Sequence, residues 1–72
     1  MAKARIHNRI RELRENAGMT QTELASRCGC TRQTIIALEQ ERYVPSLSLA
    51  FDIARAFAAK VEDVFEPRSE VP

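Results

Sequence analysis

Apolar residues recur along this chain at intervals of three and four, the period of helices with one buried face. Ile10, Leu13 and Ala17 share a face over roughly residues 8–17, and Gly18 stops that segment. Thr20 and Glu23 stand three apart, the spacing of a reciprocal N-terminal cap, and open a second helix over about 21–28. Thr31 is placed to cap a third helix that runs to about 39 or 40. Pro45 disfavours a helical Val44, so 41–45 is read as a loop, and Ser46 caps a fourth helix through about 58. Leu47, Ala50, Phe51, Ile53, Ala54 and Phe57 give that helix a broad apolar face, which makes Phe51 and Phe57 core candidates. A fifth, short helix covers about 61–65 before Pro67, and Lys60 is a poor cap for its start. Residues 4–7 and 66–70 are candidates to pair as a two-stranded ribbon, although neither run alternates strongly.

The segment QTELASRCGCTRQTIIALE, residues 21–39, carries the most information. Its small and apolar positions fall where two crossing helices need them. Ala25 leaves room for close approach, Gly29 supplies the positive φ of the turn, and Ile35 and Leu38 close the angle against Leu24. That is the layout of a helix-turn-helix, which delivers its second helix to the DNA major groove. Left outside the contact is a short hydrogen-bonding face of Arg32, Gln33, Thr34 and Ala37. Ile36 borders this face, and the sequence leaves open whether it meets a thymine methyl or packs toward the second helix.

A chain of 72 residues is one small domain near the lower size for a self-sufficient core, which argues for a dimer. The net charge of +1 hides an asymmetry: residues 1–42 carry eight Lys/Arg against five Asp/Glu, and residues 43–72 carry three against five. Positive charge is thus weighted toward the proposed reading helix, as a phosphate-facing surface requires. No apolar run reaches membrane-spanning length and the N-terminus has no hydrophobic signal region, so a cytoplasmic protein is expected. Cys28 and Cys30 fall on apolar positions without a second Cys/His cluster, so no metal site is expected. The single histidine, His7, is read as a surface residue. With no glycine-rich phosphate loop and no paired carboxylates, there is no constellation for an enzyme, and neither a cofactor nor a seat for a small-molecule ligand is expected.

Three stretches, IRELRENAGMTQTELA, TRQTIIALEQERYVPSLSLAFDIARAF and VEDVF, resemble the Cro and phage-repressor type of helix-turn-helix regulators, the XRE family. Within it the chain is similar to small single-domain members such as the cytolysin repressor. The resemblance implies an all-α, compact five-helix lambda-repressor-like domain spanning residues 1–72. It also implies a homodimeric, sequence-specific transcriptional regulator, most often a repressor, on a near-palindromic operator in double-stranded DNA. An antitoxin-like interaction module with autoregulatory DNA binding is the competing function.

Residue roles follow from the same resemblance. Arg32, Gln33, Thr34 and Ala37 take the base-facing positions. Gln21, Arg42, Tyr43 and Ser46 take positions that touch the DNA backbone. Arg14 and Glu39 match a pair joining the first helix to the end of the third. Similar proteins often carry Gly or Asn near Glu41, which raises the question of a positive φ there. Val61, Val64 and Phe65 are the expected dimer interface, on the reasoning that an apolar C-terminal helix in so short a chain lacks other cover.

Overall fold

The computed structural model describes residues 5–68. Strand β1 (Arg5–Asn8) leads into helix α1 (Ile10–Asn16), followed by α2 (Gln21–Cys28), α3 (Arg32–Glu39), α4 (Leu47–Ala56), the single turn α5 (Val61–Val64) and strand β2 (Phe65–Arg68). The strands pair antiparallel, Arg5 opposite Arg68 and Asn8 opposite Phe65, and form the expected ribbon one residue earlier at its C-terminal side. Of the expected ribbon positions, Ala4, Ser69 and Glu70 lie outside the described residues.

Local chemistry accounts for most helix starts. Thr20 Oγ1 accepts the Glu23 N–H at 3.0 Å, and the Glu23 carboxylate accepts the Thr20 N–H at 2.9 Å, which holds that carboxyl below its ordinary value. Thr31 and Ser46 cap α3 and α4 by accepting from Thr34 and Leu49, each at 3.1 Å. At α5 Lys60 has no acceptor to offer, and half of a cap comes from inside the helix: Asp63 accepts the Lys60 N–H at 3.0 Å. The first helix starts later than its periodicity suggests. Asn8 belongs to β1, its Oδ1 accepts the Ile10 N–H, and its Nδ2 donates to the Leu38 carbonyl at 2.7 Å, tying the start of α1 to the end of α3.

Helices α1 to α4 all end in one way. A residue at positive φ is followed by an N–H that reaches back five residues: Met19 to Arg14, Cys30 to Ala25, Arg42 to Ala37 and Ala59 to Ala54, at 2.9 to 3.0 Å. Glycine supplies the positive φ at Gly18 and Gly29, but Glu41 (φ 57) and Ala58 (φ 53) supply the other two. For a residue with a Cβ that conformation costs about 1–2 kcal/mol. At Glu41 the cost is offset by tertiary bonds. Its carboxylate lies 2.7 Å from His7 Nδ1 and accepts the Asn8 N–H at 3.3 Å. His7 is accordingly half-buried and fastens β1 to the turn after α3, where the sequence suggested a surface residue.

Ile10, Leu24, Ile35, Leu38, Ile53 and Val64 are fully buried at the centre, with Met19, Ala25, Cys28, Ala50, Ala54 and Phe65 around them. Three expectations about burial need correction. Ala17 is exposed, because α1 ends before it. Leu47 and Phe51 are exposed by 72% and 46%, while the core face of α4 is the narrower set Ala50, Ile53 and Ala54. Val64 and Phe65, at 0% and 8% exposure, are covered within a single chain, Val64 on α5 beside α4 and Phe65 opposite Asn8 in the ribbon, with the Arg9 N–H donating to the Val64 carbonyl at 2.8 Å. They have no surface left for a partner. Val61 stays half-buried.

Candidate nucleic-acid interface

Helix α3 is held at both ends. Its N-terminus leans on α2 through Ile35 and Leu24, both fully buried, with Ala25 between them allowing a close approach. Its C-terminal end is tied to α1. Arg14 Nε and Nη2 donate to the two oxygens of Glu39 at 2.6 and 3.2 Å, and Arg14 Nη1 donates to the Met19 carbonyl at 3.0 Å. The pair is nearly dry, with side-chain exposures of 11% for Arg14 and 6% for Glu39. The hydrogen bonds it donates to Glu39, opposed by burial, hold the Arg14 guanidinium above its already high ordinary value. Arg14 and Glu39 meet in a forked geometry that fixes angle as well as distance.

With both ends fixed, the residues assigned to bases are distributed unequally. Arg32 and Gln33 are exposed in the first turn of α3. Thr34 and Ala37 are half-buried, and the Thr34 hydroxyl lies 3.0 Å from that of Thr31, so the Thr34 methyl is the part free of the cap. Arg42, Tyr43 and Ser46 are exposed on the loop between α3 and α4, although the Ser46 hydroxyl is already engaged as a cap. Gln21 is half-buried and turned inward: its Nε2 donates to Glu39 Oε1 at 3.1 Å. A carboxamide carries a second N–H, so this contact leaves one donor for a phosphate.

Between α1, the start of α2 and the side of α3 runs a groove of about 700 Å³, with Arg11, Arg14, Thr20 and Gln21 on one wall and Arg32, Ile36 and Gln40 on the other. The cysteines bear on none of this. Both are free, and burial pushes the Cys28 thiol up to about 11 and the Cys30 thiol in the same direction, which makes them poor nucleophiles at neutral pH. Among the described residues no helix is long and apolar enough to cross a membrane.

A capped pair of short helices with the second fixed at both ends and presenting exposed Arg and Gln defines a DNA-binding helix-turn-helix domain. The helix-turn-helix family model matches residues 10–64, and the chain belongs to that family, the XRE-type regulators. It is 53% identical over 60 residues to an HTH-type transcriptional regulator of Archaeoglobus fulgidus, covering 83% of this chain and 86% of that one. With a regulator of the same description from Methanothermobacter thermautotrophicus it shares 61% of 57 residues, covering 78% and 83%. A solved structure of a hypothetical transcription factor from Neisseria is similar at a TM-score of 0.71 and 33% identity, covering 75% of this chain and 61% of that one. The chain thus spans less than two thirds of the Neisseria protein. It is a transcriptional regulator with a helix-turn-helix DNA-binding domain, a family of DNA-binding proteins rather than of enzymes.

Proposed function

We propose that residues 1–72 act as a single-domain, homodimeric repressor in the cytoplasm, bound to a near-palindromic operator. The observation that carries this reading is the exposed pair Arg32 and Gln33 at the start of a helix whose orientation is fixed by the part-buried Arg14–Glu39 fork. Arg32 and Gln33, with the Thr34 methyl and Ala37, meet base edges, because Arg matches guanine and Gln matches adenine in the major groove. Gln21, Arg42, Tyr43 and Ser46 hold phosphates and set register without reading sequence. Two-fold symmetry then separates half-sites by about 34–36 Å.

Reading and holding fail differently when mutated. Gln33→Ala is expected to lose discrimination at one base pair per half-site, by about 1–3 kcal/mol. Arg42→Ala is expected to weaken all sequences alike and to lower the salt slope by about one unit. Titration of both variants against matched and single-mismatch operators, selected from a random pool, at several salt concentrations separates the two. Equal weakening of every duplex by Gln33→Ala, with wild-type mismatch penalties retained, removes the base-reading assignment.

For the dimer we assign a second copy to the exposed apolar surface of Val44, Leu47 and Phe51, which Tyr43 adjoins and for which half-buried Val61 is a further candidate. Leu47 and Phe51 lie one turn apart on α4, so a two-fold can bring both residues of each copy together. Sedimentation of the wild type is expected to report a dimer, and Leu47→Glu with Phe51→Glu a folded monomer with a weakened grip on the operator. A wild type that stays monomeric at high micromolar concentration removes self-association. It then supports the antitoxin-like reading, in which a different protein covers this face.

A further inference from the structure

Ile36 is an apolar side chain that packing against the core does not explain. It is half-buried, yet it is not among the half-buried residues, such as Leu13, Leu49, Phe57 and Val61, that pack against the core. It lines the 700 Å³ groove instead, between Arg32 one turn before it and Gln40 one turn after. Apart from Met19, the other groove walls are polar or charged, with Arg11, Thr20 and Gln21 opposite. An isoleucine exposed to such a groove gains nothing from the fold. It gains from a ligand that brings an apolar group to a polar surface.

A DNA major groove offers one such group, the C5-methyl of thymine. We propose that Ile36 is a specificity-determining residue that reads a thymine methyl in each half-site, an inference that rests on the proposed operator binding. Its placement gives the position as well. Residues four apart on a helix have Cβ atoms about 5–6 Å apart. Base pairs stack about 3.4 Å apart. The thymine therefore lies one or two base pairs from the base that Arg32 meets. The carboxylate and guanidinium groups around position 36 disfavour a purely hydrophobic partner.

Deoxyuridine lacks only the methyl group, so it isolates the contact. On the selected operator, each thymine is replaced singly by deoxyuridine and titrated with the wild type and with Ile36→Ala. The wild type is expected to lose about fourfold in affinity at one thymine per half-site, the equivalent of ~0.8 kcal/mol for one buried methyl. Ile36→Ala alters both copies of the dimer, so it is expected to lose the contact in both half-sites, about sixteenfold on the parent operator, and to show no further loss at that thymine. Because Ile36 lies outside the core, the variant should unfold within a few degrees of wild type, which separates lost contact from lost fold. If the wild type is indifferent to every thymine methyl, or if Ile36→Ala keeps the full methyl penalty, the assignment is overturned. A flat deoxyuridine scan beside a Gln33→Ala variant that still loses discrimination sinks the Ile36 assignment alone. Absence of any preferred duplex sinks the operator reading with it.

Discussion

Replacing Glu39 with Gln is expected to destabilise the protein by about 3–5 kcal/mol, because it strands the Arg14 guanidinium in a site with 11% exposure. A chain of 72 residues has a total stability on the order of 4–11 kcal/mol at the usual value per residue. The variant should therefore be partly unfolded at physiological temperature. The carboxamide keeps the shape of Glu39 and one acceptor oxygen, but it can no longer accept two charge-assisted bonds, and its N–H group faces the guanidinium. Arg14→Met is expected to cost less. It leaves the Glu39 carboxylate without its charge partner, but Gln21 still donates to that carboxylate, and a carboxylate, unlike a guanidinium, can relieve its burial by taking up a proton. The double variant should be more stable than the sum of the two losses, since each single change leaves a buried charge that the double change removes. Urea unfolding of the four proteins measures this coupling, and strict additivity would mean that the fork contributes no interaction of its own. Loss of DNA binding by Glu39→Gln below its unfolding midpoint would further connect the pair to the aim of α3.

The parts of this fold that the sequence made legible are those where a local bond fixes a boundary. Thr20 with Glu23, Thr31, Ser46 and the two glycines act within a few residues, so their spacing alone places α2, α3 and the start of α4. Where the deciding contact is distant, the pattern misleads. Asn8 looks like the first residue of a helix, but its side chain is committed to Ile10 and Leu38, and the strand it belongs to pairs with a segment almost 60 residues away. Helix α4 ends at Ala56 because Ala58 turns to positive φ, which no glycine announces. Glu41 does the same at the end of α3, held by His7. The apolar face of α4 is wider than the core it meets: hydrophobicity at Leu47 and Phe51 does not distinguish a residue buried in the chain from one left for a partner. In the candidate interface, the exposure of Arg32 and Gln33 follows from the helix period and the Arg14–Glu39 pair only from the family resemblance, whereas the inward turn of Gln21 depends on a carboxylate from another helix.

The same ambiguity, inverted, governs Phe65. Its place after a short apolar helix suggests a dimer surface, yet at 8% exposure it is covered inside one chain, opposite Asn8 in the ribbon. Phe65→Ala is therefore expected to cost about 3–5 kcal/mol, as removal of a buried aromatic ring does when the surroundings collapse only in part. The loss should also be independent of protein concentration. An interface residue behaves otherwise, because subunit association adds to apparent stability by mass action and a damaged interface shows its largest effect in concentrated solution, where the intact protein associates. Phe51→Ala provides the contrast. With the ring 46% exposed in a single chain, its removal should change the intrinsic stability of that chain by no more than about 0.5 kcal/mol, while lowering the concentration dependence of unfolding. Chemical denaturation of wild type, Phe65→Ala and Phe51→Ala across a hundredfold range of concentration distinguishes the two kinds of burial. If Phe65→Ala matched the wild-type midpoint at the lowest concentration and fell below it only at the highest, the ring would belong to the contact between copies and not to the core of one.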